Sequence, residues 1–76
     1  MNADKSLDCV GLYCPMPIIK TATAIKELKK GQVLEVLADD IGIKEDMPAW
    51  CESTGNDFLG LEEQQGVVKV YVKKTS

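Results

Sequence analysis

The 76-residue chain contains no histidine, so every mechanism that needs imidazole as general base or metal ligand is excluded, Cys–His proteases among them. Long apolar runs are missing as well. No window approaches the roughly 18 uninterrupted apolar residues of a membrane span, and the N-terminal MNADKS carries charge without an apolar stretch, so no membrane association and a cytoplasmic location are expected. A basic excess is also absent: at a net charge of −3 there is no cationic stripe to neutralise phosphates, and direct nucleic-acid binding is not expected. Cysteine is sparse and odd in number, at Cys9, Cys14 and Cys51, which favours reduced thiols over the even, dense set of a disulfide-stapled secreted domain.

What is present is an ordinary globular composition, 45% hydrophobic and 28% charged. A chain this short fills one core and no more, so residues 1–76 are read as a single domain with its core over 7–73 and flexible tails at 1–5 and 74–76. Ser6 to Val10 alternates and suits a short strand, with Leu7 and Cys9 on one face. From Pro15 to about Lys30, Ile18, Ala22, Ile25 and Leu28 recur at helical spacing, and Gly31 stops the helix. VLEVLA, at residues 33–38, is apolar at nearly every position, as in an interior strand, and Asp39 and Asp40 follow as turn or N-cap candidates.

Ile43, Met47, Trp50 and Thr54 mark a second helix ending at Gly55, and core packing is the default for its apolar members. Pro48 requires that helix either to begin late, capped by Asp46, or to kink. Residues 58–63 and 67–73 read as a hairpin turning at Gln65-Gly66, with Val68, Val70 and Val72 inward. The order β-α-β-α-β-β gives a two-layer α/β sandwich: a mixed four-stranded sheet with two helices on one face. The other face, expected to bear Tyr71 and Phe58, is left open to a partner.

The chemistry-bearing stretch is GLYCPMP, residues 11–17. Cys14 falls at the N-cap of the first helix, with Pro15 at N1, where a missing N–H costs nothing, and Pro17 near N3. With two first-turn donors removed, the N–H groups of Met16 and Ile18 are expected to face the sulfur. A helix N-terminus favours an anion and lowers a cysteine pKa, so Cys14 is a candidate nucleophile; a structural turn cysteine is the plain alternative. The position of a dithiol enzyme's resolving cysteine is occupied by Pro17, and no base stands nearby for acyl transfer or hydrolysis. A single sulfur that accepts a group and hands it on remains.

Leu7, Asp8, Gly11, Leu12, Cys14, Pro15 and Pro17 spell L-D-x-x-G-L-x-C-P-x-P, and with Gly31, Asp39-Asp40, the run Asp46 to Cys51 and Gly55 the sequence resembles the TusA (SirA-like) sulfur-carrier family over residues 7–73. The resemblance implies the same β-α-β-α-β-β sandwich. It also implies a persulfide carried on Cys14, received from a cysteine desulfurase or rhodanese-like donor and passed to a DsrE- or TusD-type acceptor. No cofactor beyond the transient persulfide sulfur is implied. Such carriers serve tRNA thiolation, molybdenum-cofactor or sulfur-oxidation pathways, working with partner enzymes rather than as self-contained catalysts.

Two readings compete with the carrier: a thiol-based regulatory or redox-sensing module, and a metal carrier, the latter disfavoured by the lack of histidine and of C-x-x-C. Cys9 reads as a buried hydrophobe, and Cys51 as core with an auxiliary-thiol or metal role as its alternative. The family often has histidine near Asn56, so a proton-transfer role there is in doubt. Tyr13, Met16 and Ile19 cannot all be buried by the helix pattern and are expected to form an apolar docking rim around Cys14.

Overall fold

A computed structural model describes residues 3–13 and 16–75. Six elements follow one another: β1 (Lys5–Asp8), α1 (Met16–Ile25), β2 (Val33–Ala38), α2 (Ile43–Thr54), β3 (Asp57–Gln64) and β4 (Val67–Lys73). They form the expected mixed sheet, in the order β1-β2-β4-β3, with β1 parallel to β2 and the other pairings antiparallel.

The two interior strands supply the core because they alternate in step. Leu34, Val36 and Ala38 of β2 stand opposite Val72, Val70 and Val68 of β4, and all six are buried on the helix side. Ala24, Ile25 and Leu28 from the first helical segment and Ile43, Met47 and Cys51 from α2 cover them. The β3–β4 turn has Gln65 at φ 51° and Gly66 at φ 79°, the left-handed pair that a two-residue type I′ connection requires.

Several boundaries differ from the sequence reading. The buried stripe of α1 is Pro17, Thr21, Ala24 and Ile25, one residue out of phase with the expected Ile18 and Ala22, which are half-buried. Thr21 can join it because its hydroxyl donates to the Pro17 carbonyl at 2.7 Å and so carries no unmet polar group inward. The helix ends at Ile25, not Lys30: Glu27 and Leu28 donate to carbonyls three residues back, a 3₁₀-type tightening, and the Lys74 ammonium donates to the Leu28 carbonyl at 2.7 Å.

Of the two expectations for Pro48, the late start capped by Asp46 does not hold. α2 starts at Ile43, well before the proline, and Pro48 lies inside it. Asp40 organises the start in place of Asp46: its carboxylate accepts the Gly42 N–H at 3.0 Å and its carbonyl accepts that of Ile43 at 3.2 Å. The burial of Ile43 and Met47 on one stripe offsets the single backbone donor that Pro48 lacks.

Among the described residues assigned to tails, Lys5, Lys74 and Thr75 are tied down. Lys5 belongs to β1 and pairs with Glu27, Lys74 exchanges backbone bonds with Gly31 and Gln32, and the Thr75 N–H donates to Asn56 Oδ1 at 3.1 Å. Phe58 is not on the open face: it pairs with Val72 and packs against the core. Tyr71 does lie on the outer face, yet it is only 4% exposed, and desolvation together with the Glu35 carboxylate pushes its hydroxyl pKa up. Around it the register sets Lys69 opposite Glu62 and Lys73 opposite Asp57, so alternating charge covers this face in place of a second apolar layer.

Candidate functional site

The loop from β1 to α1 leaves the sheet beside the loop from β2 to α2, and hydrogen bonds hold the two together. Cys9 N–H donates to the Leu37 carbonyl at 2.7 Å, which extends the β1–β2 pairing by one residue. Val10 N–H then donates to Asp8 Oδ1 at 3.0 Å, and Gly11 N–H crosses to Asp39 Oδ1 at 3.1 Å. Leu12 N–H closes a turn on the Cys9 carbonyl at 3.1 Å. Gly11 sits at φ +88°, and a Cβ there would meet nothing within 4 Å, so its backbone conformation alone calls for glycine.

Cys14 and Pro15 lie outside the described residues. Their flanks, Tyr13 and Met16, are joined by a Met16 N–H to Tyr13 carbonyl bond of 2.7 Å. That bond corrects the expectation that the Met16 N–H faces the sulfur: the donor is already used in turning the chain into α1. Pro17 is buried in the stripe of α1, where it anchors the helix start to the core.

The other two thiols are core residues. Cys9 is fully buried and its pKa is raised by burial, with Lys20 opposing the shift. Cys51 is 1% exposed, and burial followed by the nearby Asp57 charge pushes its thiol up to about 11. Cys51 also lies eight residues beyond Ile43 along α2, about 12 Å at helical rise, away from the loops. It has neither the exposure nor the acidity of a working nucleophile. Asn56 is likewise structural: it receives the Thr75 N–H and donates to Thr54 Oγ1 at 3.0 Å, at the end of α2 remote from the loops.

Tyr13 is 81% exposed, and Met16 and Ile19 are exposed as well, as the helix pattern implied. Two further apolar side chains join them that the sequence reading missed, Val10 and Ile41, the latter 69% exposed. Ile41 was detectable: it sits between Asp40 and Gly42, off the stripe formed by Ile43 and Met47. Two clefts flank this rim. One of about 280 Å³ lies between Tyr13, Asp39, Asp40 and Ile41, and another of about 300 Å³ runs between α1 and β1, with Met16, Ile19 and Lys20 on its helix wall. The first is bordered by the carboxylates of Asp39 and Asp40, the second by Lys20 and the Lys5–Glu27 ion pair, so the two clefts differ in charge.

A two-layer sandwich with the C-P-x-P motif between β1 and α1 in the sequence, and the described thiols Cys9 and Cys51 buried, defines the class of small α/β domain. The family is explicit: the model of the family described as Sulfurtransferase TusA matches residues 5–74, and the chain belongs to that family. It is 46% identical over 74 residues to "Putative sulfur carrier protein YrkI" of Bacillus subtilis, covering 97% of this chain and 99% of that one. To the sulfur carrier protein TusA of Allochromatium vinosum it is 36% identical over 72 residues, 95% of each chain. Among solved structures, a SirA-like protein from Desulfitobacterium hafniense superposes with a TM-score of 0.81 at 29% identity, over 95% of this chain and 99% of that one.

Proposed function

We propose that the chain is a sulfur carrier that holds sulfane sulfur as a persulfide on Cys14 and relays it from a donor protein to an acceptor protein. The Cys14 thiolate attacks the outer sulfur of the donor's persulfide; the new S–S bond forms as the donor's S–S bond breaks, and the donor thiolate leaves. Delivery reverses the roles, with an acceptor thiolate attacking the outer sulfur and the Cys14 thiolate departing. The two steps move one sulfur atom and need no external oxidant.

Family membership across residues 5–74, with the complete L-D-x-x-G-L-x-C-P-x-P motif, is the observation that carries this reading. The burial of Cys9 and Cys51 supports it, since it leaves Cys14 as the single thiol for exchange. Donors of the cysteine desulfurase or rhodanese type and acceptors of the DsrE or TusD type suit the chemistry, in tRNA thiolation, molybdenum-cofactor or sulfur-oxidation routes, and the reduced thiols fit a cytoplasmic setting. Val10, Tyr13, Met16, Ile19 and Ile41 serve as the docking rim, because a persulfide exchanged between proteins needs the two sulfurs in contact with water kept away.

Mass spectrometry after incubation with a cysteine desulfurase and cysteine tests the proposal. A gain of about 32 Da, the mass of one sulfur, on Cys14 and its loss in Cys14→Ser are expected. An unmodified protein after exposure to both donor types refutes it.

A further inference from the structure

The sheet has two edges, and they are treated differently. β3 is eight residues long, interrupted by a bulge between Phe58 and Gly60, and carries Glu62 and Glu63 within it, features that discourage further pairing. β1 pairs in unbroken register with β2 on one side, and among the described residues no strand covers its other side. Against that side lies the 300 Å³ groove, with Leu7 and Ala24 in its lining and Met16, Ile19, Lys20 and Thr23 from α1 along one wall.

The groove has a direction. The Lys5–Glu27 ion pair stands at the end remote from the loop, whereas Met16, at the other end, is two residues from Cys14 in the sequence. From Met16 to Thr23 the helix rises about 10 Å, the length of roughly three residues of extended chain. Lys20 faces this space and forms no ion pair among the described residues.

We propose that the free edge of β1 and the groove beside it receive one extended, thiol-bearing segment of a relay partner, with alternating apolar side chains and an acidic residue facing Lys20. The segment adds a strand to the sheet, so main-chain hydrogen bonds to β1 hold it. Alternate side chains enter the groove between Leu7 and Ile19, and the acidic side chain meets Lys20. Running along β1 toward Met16, it ends beside a residue that lies two positions from Cys14 in the sequence. This deepens the sulfur-carrier reading and rests on it.

The test is an NMR titration of ¹⁵N-labelled protein with two acetylated, amidated peptides, Val-Thr-Glu-Thr-Val and Val-Thr-Lys-Thr-Val, whose first, third and fifth side chains share the groove-facing side of an extended strand. The glutamate peptide is expected to shift amides of residues 5–9 and 16–24 and to slow hydrogen exchange in β1. It should bind about three-fold more tightly than the lysine peptide, as one exposed charge pair allows, and Lys20→Glu should reverse the preference. No shifts at millimolar peptide, shifts centred on Tyr13 and Ile41, or equal affinity for the two peptides would overturn the proposal. The desulfurase assay on the same protein separates the two readings. A Cys14 adduct of one sulfur without peptide shifts at β1 sinks only the docking inference, and no adduct from either donor type sinks the carrier reading itself.

Discussion

Asp39 Oδ1 accepts the backbone N–H of Gly11 at 3.1 Å, binding the loop that follows β2 to the loop that precedes Cys14. The contact spans 28 residues of sequence and joins the two loops at the same end of the sheet. Since a carboxylate accepting an exposed N–H contributes about 1 kcal/mol or somewhat more, Asp39→Ala should lower unfolding free energy by roughly that amount. It should also speed hydrogen exchange at the Gly11 amide and slow sulfur loading of Cys14 several-fold. Unchanged exchange at Gly11 would show that the contact does not hold the loop.

Gly11 itself gives a cleaner backbone test. At φ +88°, with no atoms within 4 Å of the place a Cβ would take, Gly11→Ala meets conformational strain but no clash. The cost of about 1–2 kcal/mol for an L-residue in the left-handed region corresponds to a Tm drop of roughly 4–12 °C in a domain of this size. Gly11→Asn, which tolerates that region better, should recover part of the loss in a thermal melt.

The buried thiols make stability depend on alkaline pH. Cys51 titrates at about 11 in the fold against 9.0 as its ordinary value. Below pH 9 both folded and unfolded forms carry the neutral thiol, and this group's contribution is fully present. Between pH 9 and 11 the unfolded chain releases its proton first, so stability falls with rising pH by roughly 2 kcal/mol in all, the slope staying below its limit of about 1.4 kcal/mol per pH unit. Cys9, also raised, acts in the same direction. Urea unfolding of wild type and Cys51→Ala at pH 8 and pH 10.5 should show a smaller pH effect in the variant, and iodoacetamide at pH 7.5 should label one cysteine in native protein and three in urea.

Leu34 is fully buried at the centre of the sheet, so Leu34→Ala should cost about 2–5 kcal/mol. A 76-residue domain has only about 4–11 kcal/mol in total, so the variant should be partly unfolded at 37 °C by circular dichroism. By contrast Tyr13→Asp and Ile41→Asp, at positions 81% and 69% exposed, should leave the melt within about 0.5 kcal/mol of wild type. Their effect should fall on sulfur loading from a donor protein, reduced about ten-fold or more by a charge placed in an apolar contact.

The strands were the most legible part of the fold. VLEVLA and VVKVYVK match β2 and β4 residue for residue, because interior strands are apolar in patterns that few other structures share. Helix phase was less legible: Ile18, Ala22 and Thr21 have similar claims from spacing, and Thr21 is buried only because the Pro17 carbonyl stands within reach of its hydroxyl. The start of α2 was obscured for a related reason, since Pro48 argues locally for a late start and only the core contacts of Ile43 and Met47 overrule it.

The sequence by itself determined the order of elements, the lone motif thiol and the family, because these rest on periodicity and on one contiguous motif. Tertiary structure decided what surrounds that motif. Asp39 and Ile41 are far from Gly11 and Tyr13 in sequence yet beside them in the fold, and the groove beside Lys20 exists only where α1 passes alongside β1. Such long-range contacts follow from how the sheet is ordered and how the helices lie on it, and short-range spacing cannot encode them.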